Sequence, residues 1–154
     1  MEQLDATDKR ILKLLQEDAT LSVKTISSII GLTVSPTYDR ISRLKKEGII
    51  ERQVMLINRE KVGLSVAAYC HINLKEHSLA SAREFEERVS GFPEVLEFSR
   101  LSGNFDYTLK VVTADLNAYH EFVETKLAVL PNIGNLQSSF VMKEIKNEPN
   151  LPIP

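Results

Sequence analysis

Apolar residues recur at two different periods along this chain, and the change between them falls near residue 64. Ile11, Leu12, Leu14 and Leu15 lie on one broad face at helical spacing, with Asp5 able to cap the helix and Asp8 in its first turn at the positive end of the dipole. The pattern predicts a helix ending near Asp18. A second, short helix is expected from Ser22 as N-cap, with Leu21 and Ile26 as a hydrophobic staple, Ile26, Ile29 and Ile30 as its buried face, and Gly31 as its end. A third is expected from Ser35 as cap, with Pro36 at the first helical position, and Gly48 stops it. IIERQVMLIN then alternates loosely and reads as a short strand or hairpin arm, a wing on which Arg52 and Arg59 could touch phosphates. The charged segment NREKVGLS marks a boundary near residue 64.

Beyond that boundary the period becomes two. Val66, Ala68, Cys70, Ile72 and Leu74 fall on one face of a strand. Residues 80–90 return to helical spacing through Ala82, Phe85 and Val89 and end at Gly91 and Pro93. Strands are expected over 94–102 and 105–113, joined by a tight turn at Gly103-Asn104. A helix over 115–129 has Leu116, Tyr119, Val123 and Leu127 on one face, and a fourth strand runs from Leu136 to Lys146. The order βαββαβ is that of a ferredoxin-like split. The expected fold is therefore α+β, a winged helix-turn-helix over 1–64 followed by a ferredoxin-like domain over 65–146, with NEPNLPIP over 147–154 as an extended tail.

Composition narrows the function. With 154 residues, 43% hydrophobic and 26% charged, the chain suits one ordinary domain or two small ones. Its N-terminus is acidic and polar and its apolar runs are too short for a membrane span, so a cytoplasmic location is expected. The single cysteine, Cys70, reads as a small core residue, and His71, His77 and His120 lack the spacing of a metal site. No Gly-rich phosphate loop, nucleophile motif or acid/base pair is present, so no enzyme activity, metal or cofactor is expected. The net charge of -2 hides an asymmetry: residues 1–64 carry 11 Lys and Arg against 9 Asp and Glu, and residues 65–154 carry 8 against 12.

Much of the local positive charge is one cluster, Arg40, Arg43, Lys45 and Lys46, on the third helix. Alone, such a run is usually a solvated face. Two short helices joined by a glycine-containing turn, the second one basic, form a helix-turn-helix, and that context makes the run a DNA-reading surface. With Ile41 and Leu44 inward, Ser35, Asp39, Ser42, Arg43 and Lys46 fall on the opposite side, flanked by Tyr38 and Arg40. Together with Thr37, these residues are the expected contacts with double-stranded DNA. Asp39 has two readings, an acceptor for a cytosine amino group or an i, i+4 partner of Arg43.

In LDATDKRIL, LTVSPTYDRISRLKKEGII, LSGNFDYTLKV and LPNIGNLQSSFVMKEIK, in that order over nearly the whole chain, the sequence resembles the Lrp/AsnC (leucine-responsive/asparagine-responsive) transcription regulators. The resemblance implies an N-terminal DNA-binding domain. It also implies a C-terminal domain that forms homodimers, assembles them into tetramers or octamers, and binds a small amino-acid effector between dimers. Tyr38 stands where many members have a small residue or Pro, so no base preference carries over. Asp106, with backbone N–H groups near Gly103 and Asn104, could hold the ammonium and carboxylate of an amino acid, and Ser138 and Ser139 could line the same pocket. The plainer reading makes Gly103 and Asn104 turn formers and Asp106 a solvated strand residue. Two further functions fit the architecture: a siroheme-decarboxylase-like enzyme, in which His71, His77 or His120 would serve a tetrapyrrole, and a low-specificity nucleoid protein.

Overall fold

The computed structural model describes residues 4–154. Three helices form the first of two units: α1 (Ala6–Glu17), α2 (Val23–Ile30) and α3 (Val34–Lys46). Their starts are fixed locally. The Asp5 carboxylate accepts from the Asp8 N–H at 2.7 Å while Asp8 accepts from the Asp5 N–H at 3.3 Å, a reciprocal capping box. Ser22 caps α2 by accepting from the Thr25 N–H at 3.0 Å, and Gly31, at φ 77°, ends it in the left-handed conformation that glycine adopts without strain. Ile11, Leu12, Ile26, Ile41 and Leu44 close the core between the helices. Ile29, expected inside, is 45% exposed.

The third helix starts earlier than the sequence suggested. Thr33 holds the cap position, so Ser35 lies in the first turn and is not the cap, and Pro36 occupies the third helical position. Proline fits there because the first four N–H groups of a helix have no intrahelical acceptor. At the other end the Ile49 N–H reaches the Leu44 carbonyl at 3.0 Å and the Gly48 N–H that of Lys45 at 3.1 Å, a Schellman closure. The wing strand does not form: residues 51–58 have no regular structure, and Val54, Met55, Leu56 and Ile57 are exposed. Alternation alone does not hold a strand, which needs a hydrogen-bonded partner, and none is supplied among the described residues. The unit comprises residues up to Leu56 together with Lys146–Pro154.

The second unit, Ile57–Ile145, contains β1 (Val66–Leu74), α4 (Leu79–Ser90), β2 (Val95–Arg100), β3 (Tyr107–Thr113), α5 (Leu116–Phe122) and β4 (Ile133–Phe140). The strands form an antiparallel sheet in the order β2-β3-β1-β4, which is the βαββαβ arrangement expected. One face is buried. Cys70, Ile72, Leu74, Leu109 and Val111 pack there with Phe85 and Val89 of α4 and Tyr119 and Phe122 of α5.

Three details depart from the expected elements. The helix expected to run to 129 changes pitch, continuing as a π turn over Val123–Leu127. The fourth strand begins at Ile133 and ends at Phe140. Between β2 and β3 the chain makes a longer loop closed by the Leu101 N–H on the Asp106 carbonyl at 2.8 Å. A tight type I′ turn at Gly103-Asn104 would put positive φ on Asn104, which no non-glycine residue among those described has, and a type II′ turn would need Gly103 near φ of about 60°, whereas it lies at 155°. Where β1 and β4 shift register at Asn73/Leu74, a Cβ on Gly134 would lie 3.2 Å from the Asn73 carbonyl oxygen, so any larger residue there would require the backbone of β1 to give by a few tenths of an ångström.

Tyr107, 1% exposed, donates its hydroxyl to Glu86 Oε1 at 2.7 Å. Burial first, and then this carboxylate, push its phenol up to about 12. A raised folded-state pKa means the stabilisation is full below the unfolded tyrosine value of about 10 and is lost as pH rises through about 12. The second unit is therefore expected to lose stability across that window, and Tyr107→Phe to move the alkaline midpoint of a circular-dichroism titration upward. An unmoved midpoint would assign the transition to another group.

Candidate functional site

Two regions carry the chemistry, one in each unit. In the first, Thr37, Ile41 and Leu44 form the buried side of α3. Thr37 is 0% exposed and its hydroxyl donates to the Thr33 carbonyl at 2.9 Å, so it belongs to the core and not to the outward surface where the sequence placed it. Its spacing of four from Ile41 is the signal that places it inside.

Arg40 and Arg43 share one flank of α3, and that flank meets the N-terminal turn of α1. Arg40 Nη1 lies 2.6 Å from Asp5 and 2.8 Å from Asp8, and Arg43 Nη2 lies 2.5 Å from Asp8. The Asp8 side chain is 1% exposed and each arginine 31%. Two guanidinium groups thus neutralise one buried carboxylate, the arrangement that makes burying a charge tolerable. Hydrogen bonds to Asp5 and then Asp8 hold the Arg40 guanidinium even more firmly in its charged form than usual. The outward surface that remains consists of exposed Ser35, Tyr38, Asp39, Lys45 and Lys46, with Ser42 half-buried. Lys45 and Lys46 have no ion pair among the described residues. This surface presents hydroxyls, an aromatic edge and cations along one exposed helix side, which suits phosphates and base edges.

In the second unit the loop before β3 is anchored at Asp106. Its Oδ2 accepts from the Leu74 N–H at 2.8 Å, and its own N–H donates to the Ile72 carbonyl at 3.0 Å and the Asn73 side chain at 3.1 Å. Asp106 is therefore no freely solvated strand residue; it ties the loop to the end of β1. Its second oxygen, Oδ1, lies 3.5 Å from His77 Nδ1. Gly103 and Asn104 are exposed beside it.

Ser138 and Ser139 do not share a pocket. Successive strand residues point to opposite faces. Ser138 pairs with Cys70 on the helix side, where its Oγ accepts from the Tyr119 hydroxyl at 2.5 Å, and that hydroxyl also lies 3.0 Å from Cys70 Sγ. Ser139, opposite Tyr69, lies on the open face. Burial pushes the Cys70 thiol and the Tyr119 phenol up, keeping both neutral.

The open face also carries residues that sequence reasoning did not assign to the effector site. His71 stacks on Phe105 with ring centroids 4.9 Å apart, and it faces Thr108 directly across the β1/β3 pair. His71 Nδ1 and Thr108 Oγ1 are buried without a hydrogen-bond partner among the described residues. The alternation that placed Cys70 and Ile72 inside places His71 on the other face, so the signal was present.

Comparison with known proteins agrees with this division. Residues 4–51 match a family described as winged helix-turn-helix DNA-binding, and residues 67–151 match the Lrp/AsnC ligand binding domain. The chain is 37% identical over 150 residues to the DNA-binding transcriptional activator DecR of Escherichia coli (strain K12), covering 97% of this chain and 99% of that one. It is 37% identical over 150 residues to the transcriptional regulator AzlB of Bacillus subtilis (strain 168), covering 97% and 96%. A crystallised transcriptional regulator from Neisseria meningitidis, in complex with L-Met, superposes with a TM-score of 0.93 at 34% identity over 97% of each chain. With both halves matched in order and relatives covered almost end to end, the chain belongs to the Lrp/AsnC family of transcription regulators.

Proposed function

We propose that the protein is a sequence-specific, DNA-binding transcription regulator that reads duplex DNA with the exposed side of α3 and takes a small amino acid beside the loop at Asp106. The observation that carries the DNA half is the division of cations on α3: Arg40 and Arg43 grip Asp5 and Asp8, while Lys45 and Lys46 face outward. In this reading Ser35, at the helix N-terminus, contacts a phosphate. Tyr38, Asp39 and Ser42 face base edges, and Lys46 contacts the backbone. The effector half rests on the Asp106 carboxylate, on the exposed Gly103 and Asn104 beside it, and on the L-Met complex of the Neisseria meningitidis relative. Homodimers assembling to tetramers or octamers would multiply weak single-head contacts through effective concentration.

Duplex binding followed by fluorescence anisotropy across a salt series tests the DNA half. Lys46→Ala is expected to weaken binding similarly for all sequences and to reduce the slope of log affinity against log salt by about 1. Tyr38→Ala is expected to change the ranking of duplex sequences instead. Unaltered slope and ranking in both variants would remove α3 as the interface. A thermal-shift screen against the common amino acids tests the effector half, because a ligand that binds the folded state raises its melting temperature.

A further inference from the structure

The C-terminal tail is not a loose arm. Residues 146–154 belong to the first unit, so the chain leaves that unit after Leu56, builds the whole second unit and then returns. The return is held at Leu151 by the amide of Gln16 on α1. Gln16 Nε2 donates to the Leu151 carbonyl at 3.2 Å, and Gln16 Oε1 accepts from the Leu151 N–H at 2.7 Å. Two residues further on, Ile153 packs against the cluster of Ile11, Leu12, Ile26, Ile41 and Leu44.

The tail sequence explains why it grips at this residue. Pro149, Pro152 and Pro154 have no N–H and cannot join a ladder, whereas Leu151 between them has both a donor and an acceptor available to one side-chain amide. The same prolines restrict the free tail, so seating it costs less conformational entropy than seating an ordinary peptide. The tail starts a few residues after β4, whose end is pinned by the Val141 N–H on the Ala67 carbonyl at 2.9 Å. It ends on α1, whose other end holds the arginines of α3 through Asp5 and Asp8.

From this we infer that residues 149–154 are a strap: a Pro-Asn-Leu-Pro-Ile-Pro peptide that seats on α1 and gives the DNA-reading unit a second covalent tether, through which changes at β4 reach it. The docking is a property of the chain itself; the coupling rests on the function proposed above.

Three forms of the intact protein separate these points: the full chain, Gln16→Ala, and a chain ending at Glu148. In the full chain the Leu151 amide is expected to exchange with solvent deuterium at least about tenfold more slowly than an open peptide, and Gln16→Ala to abolish that protection. Removing residues 149–154 is expected to lower the melting temperature of the first unit by about 5 °C, with partial recovery on adding the free peptide NEPNLPIP. An unprotected Leu151 amide, or an unchanged melting temperature after truncation, would overturn the strap. For the coupling, the truncated protein is expected to keep its duplex affinity and its amino-acid thermal shift but to lose the ligand-induced change in duplex affinity. A ligand-induced change of full size in the truncated protein would overturn coupling through the tail. Absence of duplex binding in the full chain would instead remove the function proposed above while leaving the docking result standing.

Discussion

Replacing Arg40 and Arg43 together by alanine is expected to cost the first unit about 3–5 kcal/mol, the usual penalty for stripping partners from a buried charge. Asp8, 1% exposed in the folded chain, loses the two guanidinium groups that neutralise it, and Asp5, at the surface, offers no compensation. Asp8→Ala is expected to cost less, about 2–3 kcal/mol, because the two half-buried arginines can turn to water while the carboxylate cannot. Adding Asp8→Met to the double variant should recover most of the loss, since an apolar side chain of similar bulk no longer needs neutralising. Urea melts followed by far-ultraviolet circular dichroism measure all three. A double variant as stable as the parent, or no recovery in the triple, would show that the cluster does not hold α3 to α1.

This result bears on how DNA contacts are identified. Arg43 has the outward angle and the chemistry of a guanine-reading residue, and charge reversal there would be the natural test from sequence. In the folded chain the same substitution also places a carboxylate against Asp8, so loss of DNA binding would report an unseated helix as readily as a lost base contact. Lys46 and Tyr38 avoid that ambiguity, being exposed and outside the cluster.

The local parts of the fold were legible because their causes are local. Asp5 and Ser22 cap where their side chains reach the next turn, and Gly31 and Gly48 close helices through a conformation other residues resist. The period-two run from Val66 to Leu74 located the central strand β1 and its buried face. What escaped depends on which elements meet. Helical angles put Arg40 and Arg43 on or near the outside of α3, but whether that flank meets water, DNA or Asp8 is decided by where α1 lies. The wing strand illustrates the converse: IIERQVMLIN has the alternation but no partner strand among the described residues. Ser138 and Ser139 are a different case, since alternation already separates adjacent residues on a strand and sets them on opposite faces. The π turn over Val123–Leu127 and the seating of Ile153 have no short-range signature.

Asp106→Ala is expected to abolish measurable amino-acid binding, and Asp106→Asn to separate the two roles of the residue. The carboxylate does structural work through Oδ2, which accepts the Leu74 N–H, and faces outward through Oδ1, where His77 lies 3.5 Å away. Alanine removes both and leaves the Leu74 N–H without its acceptor, at a cost of about 1–3 kcal/mol to the second unit. Asparagine can keep an oxygen on the Leu74 N–H but presents no charge to a ligand ammonium. The Asn variant should therefore melt within about 1 kcal/mol of the parent and still bind the hit from the thermal-shift screen roughly 10- to 100-fold more weakly, the span expected for losing one charge-assisted hydrogen bond. Calorimetric titration of parent and variant gives both affinities, and thermal melts without ligand give the stability. If Asp106→Asn binds as tightly as the parent, the ammonium is held elsewhere, and Asp106 is only the clasp between the loop and β1.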